Sequence, residues 1–128
     1  MTAARRLEIS VCPRERGTVV LPVRRGGRAE RLDARRVAAE LGRLIAERHL
    51  EPVVRVREAC AGGCSAAGPN VSVSILAPVV AGERPDSIAI GWKTYVYSLA
   101  TLDCLAAVIE DNLAPPREAA RRRRSRAR

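Results

Sequence analysis

Asn70-Val71-Ser72-Val73-Ser74-Ile75-Leu76 is the stretch on which the fold turns. Apolar and hydroxyl residues alternate along it with the period of two expected of a strand that has one face buried and one in water. Val71, Val73 and Ile75 belong to the buried side. Gly68-Pro69 lies before it, and Pro78, Gly82 and Pro85 follow across the turn region 77–87, so it is bounded as a single element.

Toward the N-terminus, 53–58 alternates in the same way and predicts another strand. Pro52 separates it from a helix that Asp33 can cap and that runs to about Arg48. Val37, Leu41, Leu44 and Ile45 recur on one face of that helix, with Arg36, Glu40, Arg43 and Glu47 on the other. Gly42 inside it costs up to ~1 kcal/mol relative to alanine and reads as a mark of close packing on a sheet. Residues 7–11, Leu-Glu-Ile-Ser-Val, alternate as a first strand that ends at Cys12. Residues 12–31 read mostly as loop, with a short strand at 18–21. Within them Gly26-Gly27, flanked by arginines, is either an anion-binding turn or, preferably, a flexible linker; it lacks the Lys-Ser/Thr of a phosphate loop.

Toward the C-terminus, 88–97 predicts a fourth strand bent at Gly91. A second helix at 99–113 has Leu102, Leu105, Ile109 and Leu113 as its core face, and Pro115-Pro116 ends it. Its Glu110-Asp111 pair reads as a solvated face. The order is strand–helix–strand, then strand–strand–helix. The first unit requires parallel strands and a right-handed crossover, and the short final connection requires antiparallel ones. The expected class is α/β: a four-stranded mixed sheet with two main helices, the core arrangement of the thioredoxin fold. One domain covers 1–114, and 115–128 is an arginine-rich tail expected to be disordered.

With 128 residues, 47% of them apolar, the chain is long enough for one real core. It contains no apolar run long enough for membrane insertion and no secretory leader, so a cytoplasmic protein is expected. The abundance of alanine and arginine suggests a bacterial source. The net charge of +9 is unevenly placed. Residues 117–128 carry seven arginines and one glutamate, leaving 16 basic and 13 acidic groups, or +3, on the rest. The folded part is thus only mildly basic, and nucleic acid is an unlikely partner apart from the tail. Trp92, Tyr95 and Tyr97, the only aromatics, offer no base-stacking platform and read as strand packing.

Four cysteines stand at 12, 60, 64 and 104. In a reducing compartment they suggest metal or redox chemistry before disulfides; buried packing is the plain alternative, above all for Cys12 and Cys104. Cys12 ends the first strand and Cys60 follows the second. If those strands are parallel neighbours, both cysteines reach the same sheet edge, where open α/β sheets hold ligands. Gly62 and Gly63 let the Cys60–Cys64 loop curl and turn backbone N–H groups toward sulfur.

Cys60-Ala-Gly-Gly-Cys-Ser-Ala-Ala-Gly-Pro-Asn-Val-Ser-Val73 resembles the second half of the signature of thioredoxin-like 2Fe–2S ferredoxins, and is similar to the related domain of respiratory complex I. Trp92-Lys-Thr-Tyr-Val-Tyr97, followed by a helix, resembles the closing strand of that domain, a strand also found in related uncharacterised metal-binding proteins. The resemblance covers roughly 7–113. It implies a 2Fe–2S cluster, one-electron transfer, a protein redox partner and often a homodimer, with Cys12, Cys60 and Cys64 matching three ligand positions. The fourth is not matched. The ferredoxins place a cysteine about a dozen residues after the first, near Val23 to Arg25 here, and the complex I relatives place one where this chain has Gly17. Cys104, His49, a ligand from outside the chain, or a three-thiolate zinc site could fill the gap. Loss of the site is the further possibility. The domain would then be a cluster-free binding or assembly module docking a redox or metal-biosynthesis partner. Neither reading is a catalyst: there is no C-x-x-C for thiol–disulfide exchange, and the single histidine has no visible partner for nucleophilic hydrolysis.

Overall fold

A computed structural model of the protein describes residues 5–59, 69–76, 89–95 and 98–113. The elements run β1 (Arg6–Val11), β2 (Val19–Pro22), β3 (Ala29–Leu32), α1 (Ala34–Glu47), β4 (Val54–Glu58), β5 (Val71–Leu76), β6 (Ala89–Tyr95), a short 3-10 turn (Leu99–Thr101) and α2 (Ala107–Leu113). Four strands form one mixed sheet in the order β4-β1-β5-β6. β1 and β4 are parallel, and the other two pairings are antiparallel. The class is mixed α/β, as the element order requires.

Register explains the core. The rows Val54–Leu7–Ile75–Gly91, Val56–Ile9–Val73–Lys93 and Glu58–Val11–Val71–Tyr95 share one sheet face. Leu7, Ile9, Val11, Val71, Val73 and Tyr95 on it are buried, in one cluster with Val37, Leu41 and Leu44 of α1 and Val108 and Ile109 of α2. Each such side chain contributes about 1.5–3 kcal/mol of burial, so this layer is the main source of stability. The expected bend in β6 is a bulge: Ile75 faces Gly91 while Leu76 faces Ala89, leaving Ile90 as the extra residue.

α1 follows its sequence signals closely. The Asp33 carboxylate accepts the Arg36 N–H at 2.8 Å, satisfying one of the free N–H groups of the first turn. At the other end the His49 N–H reaches the Ala46 carbonyl and the Leu50 N–H the Ile45 carbonyl, with His49 at φ 55. This is the paired closure that usually puts glycine at the left-handed position. Two expectations for this helix are overturned. Gly42 is exposed, and a Cβ there would meet nothing within 4 Å, so it marks no close approach to the sheet. Glu40 is buried, held between Arg36 and Arg43 at 3.8 and 3.5 Å. The two long arginines fold over it and supply the charge that a covered carboxylate needs.

Two further corrections concern chain path. The span 12–31 is mostly loop and turn with a short strand at Val19–Pro22, as expected, but a second strand, β3, was not foreseen: it pairs with β2 as an antiparallel hairpin, a second small sheet. Gly26 takes φ 78 and the Gly27 N–H closes on the Arg24 carbonyl at 2.9 Å, so the pair is a defined turn rather than a linker. The last helix is shorter than expected. The Leu105 and Ala106 N–H groups donate to the Pro22 and Val23 carbonyls at 2.7 and 3.0 Å, which takes them out of any helix begun at Leu99. All six residues from Cys104 to Ile109 are buried. A helix lying on a surface covers only one stripe; this segment is enclosed by the hairpin as well as the sheet. Leu105 and Ile109 are core as expected, while Leu102 and Leu113 are only partly buried.

Trp92, expected to pack, is 74% exposed, while Tyr95 is buried. Cys60, Cys64, Gly68, the turn region 77–87, Tyr97 and the tail 115–128 lie outside the described residues. Among those described, no helix is long and apolar enough to cross a membrane.

Candidate metal or cluster edge

Cys12 stands one residue beyond β1, at the edge where β1 and β4 both end. Val11 is level with Glu58, and the Val11 carbonyl accepts the Ala59 N–H at 3.1 Å. Ala59 immediately precedes Cys60. The parallel pairing on which the convergence of the two cysteine segments depends is therefore present up to the last residue before each. Cys12 is a free, buried thiol, 2% exposed.

Glu15 belongs to the same edge and was not foreseen. Its N–H reaches back to the Cys12 carbonyl at 3.4 Å, and its side chain is buried. The carboxylate accepts the Asn70 backbone N–H at 3.1 Å and the Asn70 side-chain Nδ2–H at 2.5 Å. Asn70 is itself buried and stands just before β5. The segment after Cys12 is thus tied to the segment that follows Gly68-Pro69. Two hydrogen bonds leave other lone pairs of the carboxylate available. In sequence, Cys12-Pro-Arg-Glu-Arg reads as a solvated turn, and nothing in it signals a buried acid.

The other proposed donors stand elsewhere. β4 begins shortly after α1 ends, and the Leu7 N–H meets the Val53 carbonyl, so the end of α1 marks the edge opposite Cys12. His49 is there, exposed, closing the helix. Arg48 is there too, donating to Glu110 at 2.9 Å, and Arg25 of the hairpin turn donates to the same carboxylate at 2.5 Å. Burial opposes the charge of Glu110, but the hydrogen bonds from Arg25 and Arg48 prevail and hold its carboxyl below the usual range. Glu110 is accordingly a clasp between hairpin, α1 and α2, rather than a solvated face. Arg24 pairs with Glu47, and Arg25 also reaches Asp103 at 3.4 Å. Arg24 and Arg25, two of the three arginines that flank the glycines, are thus engaged within the fold.

Cys104 lies in the field of Arg25, Asp103 and Glu110. Burial pushes its thiol up, outweighing the Ala107 N–H and Arg25, which pull it down. Cys104 is fully buried within the hydrophobic core cluster and packs there. Among the described residues no group of three or more histidine, cysteine or acidic side chains is arranged to hold a metal ion. A cleft of about 190 Å³ beside Arg6, Glu8, Glu51 and Arg55 is below the range of organic-ligand pockets and lies at the β4 start, away from Cys12. Comparison with protein-family models, with curated proteins and with solved structures finds no match for this chain.

Proposed function

We propose that this chain is a thioredoxin-like, ferredoxin-type module that holds a 2Fe–2S cluster or another thiolate-bound metal and serves one-electron transfer to a protein partner. The fold reading is supported by strand order and direction: a parallel β1–β4 pair joined through α1, with β5 and β6 antiparallel beyond it. The function rests on one observation. β1 and β4 end together, with the Ala59 N–H donating to the Val11 carbonyl, one residue short of Cys60 and of Cys12. Cys12, Cys60 and Cys64 would supply three thiolates, one short of an ordinary all-cysteine cluster. The fourth position would fall to a ligand from outside the chain; three thiolates with an outside ligand suit zinc well and an iron–sulfur cluster less readily. A bound cluster would supply a one-electron couple; the chain's part is to hold it, shield it from water and aim N–H groups at its sulfurs.

Anaerobic purification with an absorption spectrum and with iron, zinc and sulfide assays tests this. Charge-transfer bands between ~400 and ~600 nm with about two irons and two sulfides per chain support the cluster. Both should vanish in Cys60→Ser and Cys64→Ser. Stoichiometric zinc without colour supports the thiolate site but removes electron transfer. A folded chain that stays metal-free after reconstitution overturns both. It would leave the second reading, a cluster-free docking module, which the unmatched fourth cysteine position favours.

A further inference from the structure

The second face of the main sheet carries no helix among the described residues. α1 covers the face of Leu7, Ile9 and Val11, and α2 joins the same cluster. The second face reads in register as two full rows, Arg55–Glu8–Ser74–Trp92 and Arg57–Ser10–Ser72–Thr94, with Arg6 level with Leu76 beyond the first. Trp92, the only tryptophan, stands at one end of the first row, 74% exposed. Arg55 stands at the other, about 14 Å away across three strand spacings. Glu8 is the one acid in the two rows, and Arg57 takes it at 2.6 Å. Arg55 is exposed and has no acidic partner among the described residues.

A large indole in water is costly to keep on a surface made mostly of hydroxyl and charge. Tryptophan and arginine are the residues that most often carry binding energy at interfaces. Charge decides the occupant. The tail at 117–128 is itself strongly basic, and a second copy would set Arg55 and Arg57 against a face of the same sign. An acidic surface meets Arg55 directly and shares Arg57 with Glu8, and the four hydroxyls can donate to its carboxylates. A single indole gives no ladder on which successive bases could stack, which favours protein over nucleic acid.

We infer that this face docks an acidic segment of a partner protein, with Trp92 as its apolar anchor and Arg55 and Arg57 as its charge anchors. The contact is small and charge-steered, in the class of transient encounters. It does not depend on any metal at Cys12.

The test titrates the full-length protein at low salt with poly-L-glutamate and, separately, with oligothymidylate of matched length. Trp92 fluorescence and amide NMR shifts are followed. Poly-L-glutamate should move the Trp92 indole and the Arg55 and Ser74 amides. In Arg55→Gln/Arg57→Gln, the affinity read at Trp92 should fall about tenfold, while shifts in the tail persist. Trp92→Thr, which keeps a strand former, should weaken the response of the Arg55 amide. Shifts confined to 117–128, or unchanged affinity in the double variant, would overturn the inference. So would oligothymidylate moving Trp92 at lower concentration than poly-L-glutamate, which would make the face a nucleic-acid surface. Movement of the same resonances with protein concentration alone would assign it to a second copy instead.

Discussion

Asn70→Ala isolates the link between the Cys12 segment and the start of β5. The substitution keeps the backbone N–H that Glu15 accepts at 3.1 Å and removes the Nδ2–H at 2.5 Å. A hydrogen bond to a charged group contributes about 1.5–3 kcal/mol, and more is lost when a buried acceptor is left short of a donor. Unfolding entropy of about 2.1 cal/mol/K per residue, over a folded part of about 110 residues, is about 0.23 kcal/mol/K. A loss of ~2 kcal/mol therefore lowers Tm by about 9 °C. Asn70 makes other contacts besides this one, so the pair is separated by a double-mutant cycle with Glu15→Ala, read by urea denaturation. The expected coupling is about 1.5–3 kcal/mol. Asn70→Asp, which sets a second carboxylate against Glu15, should be worse than alanine. A coupling below ~0.5 kcal/mol, or an aspartate variant as stable as wild type, would refute the clasp.

The Arg25–Glu110–Arg48 clasp predicts a pH dependence. Because the folded carboxyl is held below its ordinary value of 4.5, its contribution is complete above that value and is lost as pH falls through the lowered one. The Tm difference between wild type and Glu110→Gln should therefore stay constant near neutrality and close below pH 4.5 in a thermal series. Gly42→Ala, with open space at its Cβ, should stabilise by up to ~1 kcal/mol, seen as a rise in Tm. Gly26→Ala also meets nothing within 4 Å, but at φ 78 it should destabilise by about 1–2 kcal/mol in chemical denaturation. Leu105→Ala empties a fully buried site and should cost about 2–5 kcal/mol. Val20→Ala, at 51% exposure, should stay within about 0.5 kcal/mol on the same denaturation curve.

Elements that announce themselves by periodicity were legible: β1, α1, β4 and β5 stand where alternation and capping put them, and the parallel pair follows from the βαβ order. β3 carried no such signal. Three of its four residues, in Ala-Glu-Arg-Leu, are exposed, and its strand character comes from pairing with β2. The final helix misled for the opposite reason. Leucine spacing at 99–113 fits a helix, but Pro22 and Val23 offer carbonyls that a local pattern cannot reveal, and Leu105 and Ala106 take them. The candidate edge was half legible. Strand direction brings the Cys12 and Cys60 segments together, whereas burial of Glu15 depends on Asn70, distant in sequence and unremarkable in type.

Trp92 differs from these cases, because parity alone places it. In a strand with one buried face, residues an odd number apart point to opposite sides. Trp92 and Tyr95 are separated by three positions, so assigning both to strand packing is inconsistent in any sheet covered on one side. The bulge at Ile90 does not alter this, since it precedes both residues. Tyr95, level with Val71 and bonded through its hydroxyl to the buried Asn112 at 2.9 Å, has the stronger claim on the core. Trp92, level with Ser74, must then share the hydroxyl face. What fixes the exposure of the only tryptophan is thus the same alternation that defines the neighbouring strand. The chain thus sets its largest apolar side chain on the polar side of the sheet, level with Ser74, Glu8 and Arg55.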